Sequence, residues 1–243
     1  MANERAEEGR AVMLDLFPQG FEEVETDGGL ELAAYTTAGG EERLWQVFGP
    51  GRVTEVEPDW AERWKQFHRP IRIGALWIGP PWEEPDADAI PVVIDPGRAF
   101  GTGSHPTTQI CLEHLLELEP GSLLDLGCGS GVLSIAAARL GFAPVVALDF
   151  DEAAVEATQG NAAANGVDIT VAQADVLTDD LPETALAVAN IALDLCERAG
   201  SRVTSRQLVT SGYLESERPA LPAWRHAGRR VRGGWAADRF ERD

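Results

Sequence analysis

Positive charge is scarce in this chain. Twenty Lys and Arg stand against forty Asp and Glu, a formal net charge of −20 over 243 residues. Nonspecific binding to nucleic acid or to an anionic membrane surface needs basic patches, so the balance argues against both and leaves room for a basic protein partner. Cysteine is scarce too. Cys111, Cys128 and Cys196 lie far apart with no C-x-x-C pair, which fits a reducing compartment and no disulfide framework. The four histidines (His68, His105, His114, His226) show no metal-ligand spacing, so no metal site is expected. The longest apolar run, around Val132 to Ala138, is too short to span a bilayer. The opening MANERAEEGR is charged and has no apolar leader, and a cytoplasmic location is the expectation.

What is present is a sizeable core, with 44% hydrophobic residues. Residues 1–57 carry short apolar patches, among them LELAAYTT and RLWQVFG, between Gly-rich turns, and read as strands of a small α+β unit. Residues 58–90 form a linker of one helix and one strand. The helix, PDWAERWKQFHR, places Trp60, Trp64 and Phe67 on one face. From residue 91 to 243 strand and helix signals alternate: SLLDLG, GVLSIAAARLG, PVVALDF, DEAAVEATQGNAAANG, ITVAQADV, ALAVANI and QLVTSGYL. Such alternation predicts an α/β fold with a doubly wound, mostly parallel sheet. RRVRGGWAADRFERD closes it as a hairpin that supplies antiparallel strands at one edge.

The first core strand runs into Asp125-Leu-Gly127-Cys-Gly129-Ser-Gly131. Glycine lets backbone pass close to a ligand and adopt positive φ, and a glycine turn between the first strand and helix of such a sheet lies at its nucleotide-binding edge. The dinucleotide fingerprint G-x-G-x-x-G would need a third glycine at Val132, whereas this spacing is G-x-G-x-G. Asp149, ending the second strand, can accept both hydroxyl protons of a ribose. The glycine spacing favours S-adenosylmethionine over a nicotinamide dinucleotide. Asp175, after the third strand, is placed to meet the adenine amine, and Asn190, ending the fourth, offers a donor and an acceptor at the reacting groups. Asp151 reads as a helix-start residue. Cys128 has no histidine near in sequence to activate it, which argues against a nucleophile. Ahead of the glycine turn, DPGRAFGTGSHPTT (95–108) leads into a helix. Phe100 can supply an apolar lid over the ligand, and Thr107 and Thr108, with free amides at the helix start, can meet a carboxylate.

Three segments, DPGRAFGTGSHPTT, DLGCGSGVLSIAAARLG (125–141) and ALDFDEAAVEATQGNAAANGV (147–167), resemble the PrmA-type family of ribosomal protein L11 methyltransferases, with AVANI and VTSGYL in support. The likeness covers roughly residues 58–215. It implies a seven-stranded, Rossmann-like class I methyltransferase fold over residues 91–243 and a small substrate-recognition domain over 1–57. It also implies S-adenosylmethionine contacts at Thr108, Gly127, Asp149 and Asn190, to which the residue reading adds Phe100, Thr107, Gly129 and Asp175. The implied reaction is methylation of lysine and N-terminal amines of ribosomal protein L11, with Asn190 orienting the amine, in a protein expected to act as a monomer. Two alternatives stay open: methylation of another protein or a small molecule, and a noncatalytic S-adenosylmethionine-binding regulatory module. Three departures from the family pattern stand out. The N-terminal unit looks short and poorly matched. Arg98 replaces an expected apolar residue, and IALDLCERAGSRVTSRQ leaves little room for a helix before the fifth strand.

Overall fold

The computed structural model describes residues 13, 22–26, 29–34, 38–49, 51, 69–96 and 103–242. The expected linker helix with Trp60, Trp64 and Phe67, and also Arg98 and Phe100, lie outside the described residues. The chain divides into two compact units, Met1–Trp60 and Ala61–Asp243. The first holds an antiparallel pair, β1 (Glu22–Thr26) and β2 (Gly29–Ala33), and the helix α1 (Ala38–Phe48). RLWQVFG was expected as a strand and is helical instead. Its apolar residues Leu44, Trp45, Val47 and Phe48 recur at helical rather than alternating spacing.

In the second unit, β3 (Ile71–Ile73), β4 (Leu76–Gly79) and β5 (Ile90–Val93) form a small separate sheet, antiparallel between β3 and β4 and parallel between β4 and β5. It is followed by α2 (Pro106–Leu115), β6 (Leu123–Leu126), α3 (Val132–Arg139), β7 (Val145–Asp149), α4 (Glu152–Asn165) and β8 (Thr170–Gln173). Then come β9 (Leu186–Asn190), α5 (Leu193–Gly200), β10 (Gln207–Leu214), β11 (Arg225–Arg232) and β12 (Trp235–Glu241).

Seven of these strands make one sheet in the order β11-β12-β10-β9-β6-β7-β8. β10, β9, β6, β7 and β8 run parallel, and β12 inserts antiparallel between β10 and β11. The order reverses direction at β6, which places a crevice at the carboxyl ends of β6, β7 and β9. Both faces are covered, so the central strands β7 and β9 read as apolar runs up to their last residue, while β6 is interrupted by the buried Asp125. Leu123, Val145, Val188 and Val209 pack with α2 and α3 on one side. Leu124, Leu126, Ala187 and Leu208 pack with Cys196 and Ala199 of α5 on the other. The sequence allowed little room for α5, yet eight residues suffice because Ala192 starts the helix directly after β9 and Gly200 packs against Leu221 and Leu208. No helix among the described residues is long and apolar enough to cross a membrane.

Candidate functional site

The glycine turn after β6 is shaped by backbone demands. Gly127, Gly129 and Gly131 have φ of 79°, 55° and 82°, in the region that side chains rarely adopt. The Gly127 and Cys128 amides both donate to Leu148 O, at 2.8 and 3.0 Å, which ties the turn to β7. From the other side α4 holds the turn with side chains. Thr158 Oγ1 donates to Gly129 O at 2.9 Å, and Asn161 Nδ2 donates to Ser130 O at 2.9 Å.

Asp149 ends β7 beside this turn and is buried. Its Oδ2 accepts from the Gly129 amide at 2.9 Å, and its Oδ1 accepts from the Asp151 amide at 3.1 Å. Each carboxylate oxygen can accept more than one hydrogen bond, so the carboxylate is fixed in place with acceptor capacity left for a ligand. Asp151 itself caps α4, its Oδ1 accepting from the Ala153 amide at 3.0 Å, the helix-start role that its position suggested.

Asn190 ends β9, and its Nδ2 donates to Thr108 Oγ1 at 3.3 Å, joining two residues 82 positions apart. That bond leaves the carbonyl oxygen of Asn190 as the acceptor for an incoming group. Thr107 and Thr108 are fully buried in the first turn of α2. The Thr107 amide was expected to be free. It is instead 3.4 Å from His105 Nδ1, with the Thr107 hydroxyl 2.7 Å from the same nitrogen, because His105 is the helix cap. Burial lowers the His105 pKa, which favours the neutral ring that this capping acceptor requires.

Asp175 is exposed and forms a turn of its own. Its Oδ1 accepts from the Leu177 amide, and its amide donates to Asp179 Oδ2, each at 2.9 Å. The turn thus occupies one of its two oxygens. Cys128 is buried in the glycine turn, and desolvation pushes its thiol up to about 12, too high for a nucleophile at neutral pH.

These pieces line one cleft of about 800 Å³. Thr107, Thr108, Gly127, Gly129, Asp149, Asp175 and Asn190 all face it, whereas Phe100 falls outside the described residues. Among the further lining residues that sequence reading missed are His105, Phe150, Ile191 and Trp235. Phe150 follows Asp149 and is 76% exposed, an unusual position for a large apolar ring. Trp235 begins β12 and meets the His105 ring edge-on, 4.8 Å between centroids. The signals for the first three lay next to residues already singled out. Trp235 had none, since only the hairpin register brings it there.

The neighbours of this architecture are specific. A family profile described as ribosomal protein L11 methyltransferase (PrmA) matches residues 34–228. The chain belongs to that family. A ribosomal protein L11 methyltransferase from Symbiobacterium thermophilum is 42% identical over 205 residues, covering 77% of this chain and 67% of that protein. One from Shewanella denitrificans is 45% identical over 185 residues, covering 71% and 62%. The matched region thus spans roughly two thirds or less of the length of these relatives. The crystal structure of a ribosomal protein L11 methylase from Lactobacillus delbrueckii subsp. bulgaricus superposes with a TM-score of 0.65 at 30% identity, covering 72% of this chain and 99% of that one. The sheet is therefore that of a class I methyltransferase.

Proposed function

We propose that this protein is an S-adenosylmethionine-dependent methyltransferase acting on lysine and N-terminal amines of ribosomal protein L11. The observation that carries the reading is the pairing, in one cleft of a PrmA-family chain, of the anchored Asp149 carboxylate with the Asn190–Thr108 pair. The residues suit the cofactor: a carboxylate for a ribose diol, three positive-φ glycines where backbone must come close, and buried threonines at a helix start. Bound there, S-adenosylmethionine would supply the activated methyl group. The protein's own part is to orient and to desolvate. An amine with an ordinary pKa of about 10.4 must shed its proton before attack, and the apolar wall of Ile191, Leu195 and Trp235 disfavours its charged form. The Asn190 carbonyl oxygen accepts a hydrogen bond from the amine and holds its lone pair toward the methyl.

The unit Met1–Trp60 serves in this reading to recognise the protein substrate, and the enzyme works as a cytoplasmic monomer. Incubating the purified protein with S-adenosylmethionine and ribosomal protein L11 tests the proposal by intact mass. Methyl-sized increments on L11 are expected. Because this chain matches only part of the length of its relatives, a different protein amine is the second reading; labelling of another lysate protein while L11 stays unmodified would favour it.

A further inference from the structure

On α4, Thr158, Asn161 and Asn165 form a buried polar stripe on the face turned toward the rest of the fold. Asn161, only 4% exposed, makes the most consequential contacts of the three. Its Nδ2 donates to Ser130 O inside the glycine turn at 2.9 Å, and its Oδ1 accepts from the Asp95 amide at 3.0 Å. A single amide thus bridges the glycine turn and the start of segment 95–108, the two stretches whose continuations line the cleft. Asn165 braces it from below. Its Nδ2 donates to Asn161 O at 2.8 Å and to Val93 O at 2.6 Å, and its Oδ1 accepts from the Val93 amide at 2.9 Å. Asn165 grips β5 at both polar groups of Val93 but makes no bond to the glycine turn.

We propose that Asn161 is a positioning residue for the cofactor, holding the glycine turn against the Asp95 backbone so that the turn is set where it meets the ligand. The inference rests on the S-adenosylmethionine reading above. Only asparagine's donor–acceptor pair serves both bonds at this length. Aspartate keeps the acceptor for Asp95 but sets an oxygen against Ser130 O, and alanine removes both. Losing the bond to the carbonyl of buried Ser130 lets the glycine turn shift, and that displacement reaches the ligand.

The test compares Asn161→Ala, Asn161→Asp and Asn165→Ala, using calorimetric S-adenosylmethionine binding, thermal unfolding, and amide hydrogen exchange without ligand. Both Asn161 variants are expected to bind S-adenosylmethionine about tenfold more weakly, about 1.4 kcal/mol. Asn165→Ala should lower the melting temperature while leaving affinity within about twofold. The Asp95 amide should exchange faster in Asn161→Ala and keep its protection in Asn161→Asp. Equal affinity losses in Asn161→Ala and Asn165→Ala, or an Asn161→Asp affinity matching wild type, would overturn the assignment. Should Asn161→Ala fail to fold, Asn161→Asp carries the affinity comparison by itself. Absence of binding by the wild type would count against the cofactor reading instead, and Asp95 exchange would still show whether Asn161 holds the two segments; unchanged exchange in Asn161→Ala would sink that role.

Discussion

Asn190 and Thr108 are neighbours only because β9 and the first turn of α2 end at the same edge of the sheet. Asn190 gives its amide N–H to a buried threonine, which restricts the rotation of the side chain and leaves its carbonyl oxygen outside that bond. In the proposed reaction an acceptor fixed in advance would orient the incoming amine, and misplacement by about 1 Å can cost roughly a hundredfold. Asn190→Ala is therefore expected to lower kcat about a hundredfold while S-adenosylmethionine affinity changes less than about tenfold. Steady-state kinetics beside calorimetry would separate the two effects. Asp149 and Asn190 were legible in the sequence because each closes an apolar strand, and strand ends in a parallel α/β sheet share one edge. The Thr107 amide, expected to be free, is bonded for a local reason: His105 precedes Pro106 at the helix start and offers Nδ1 to it.

Among the elements, β10 carries a bulge at Gly212, where the register with β12 shifts between Ser211 and Tyr213. Gly212 has φ of 104°, and a Cβ there would lie 2.1 Å from Ile191 O, part of the wall beside Asn190. Gly212→Ala is expected to cost about 3 kcal/mol or more, through both the strained φ and the clash with backbone. Urea unfolding measures this, and a cost below about 1 kcal/mol would show that the bulge relaxes freely. The core strands and α2 to α4 followed the expected segments closely, since their apolar runs and glycine stops are strong local signals. Three expectations did not hold, and one of them is the single linker strand, which is two strands, β3 and β4, paired antiparallel around a turn at Gly74 and Ala75. α1 was hidden by a Gly-Gly start that reads as a turn, and α5 by its brevity. The polar stripe of Thr158, Asn161 and Asn165 went unremarked because only its partners, backbone groups some 30 to 70 residues away, reveal what it holds.

For the molecule as a whole, two buried titratable groups make stability depend on pH in opposite senses. Burial raises the Asp125 carboxyl from 3.8 to about 6, against a 2.6 Å hydrogen bond from Ser134 Oγ that lowers it. The folded state then keeps a proton that the unfolded chain releases, so this contribution is greatest near pH 4 and is lost as pH rises toward 6. Burial lowers the His114 imidazole from 6.5 to about 4, so its contribution is present above about 6.5 and is lost as pH falls toward 4. The stability of wild type relative to Asp125→Asn should accordingly be larger at pH 4 than at pH 7. Urea unfolding across that range checks it, and a difference independent of pH would remove Asp125 as the cause.

The cleft itself is a property of the whole second unit, assembled from segments between His105 and Trp235 around the carboxylate of Asp149. Calorimetric titration of S-adenosylmethionine into wild type and Asp149→Ala tests that assembly most directly. Loss of charge-assisted hydrogen bonds worth about 1.5 to 3 kcal/mol each should weaken binding roughly a hundredfold in a variant that still unfolds cooperatively. A folded Asp149→Ala protein that binds S-adenosylmethionine as tightly as wild type would contradict the account.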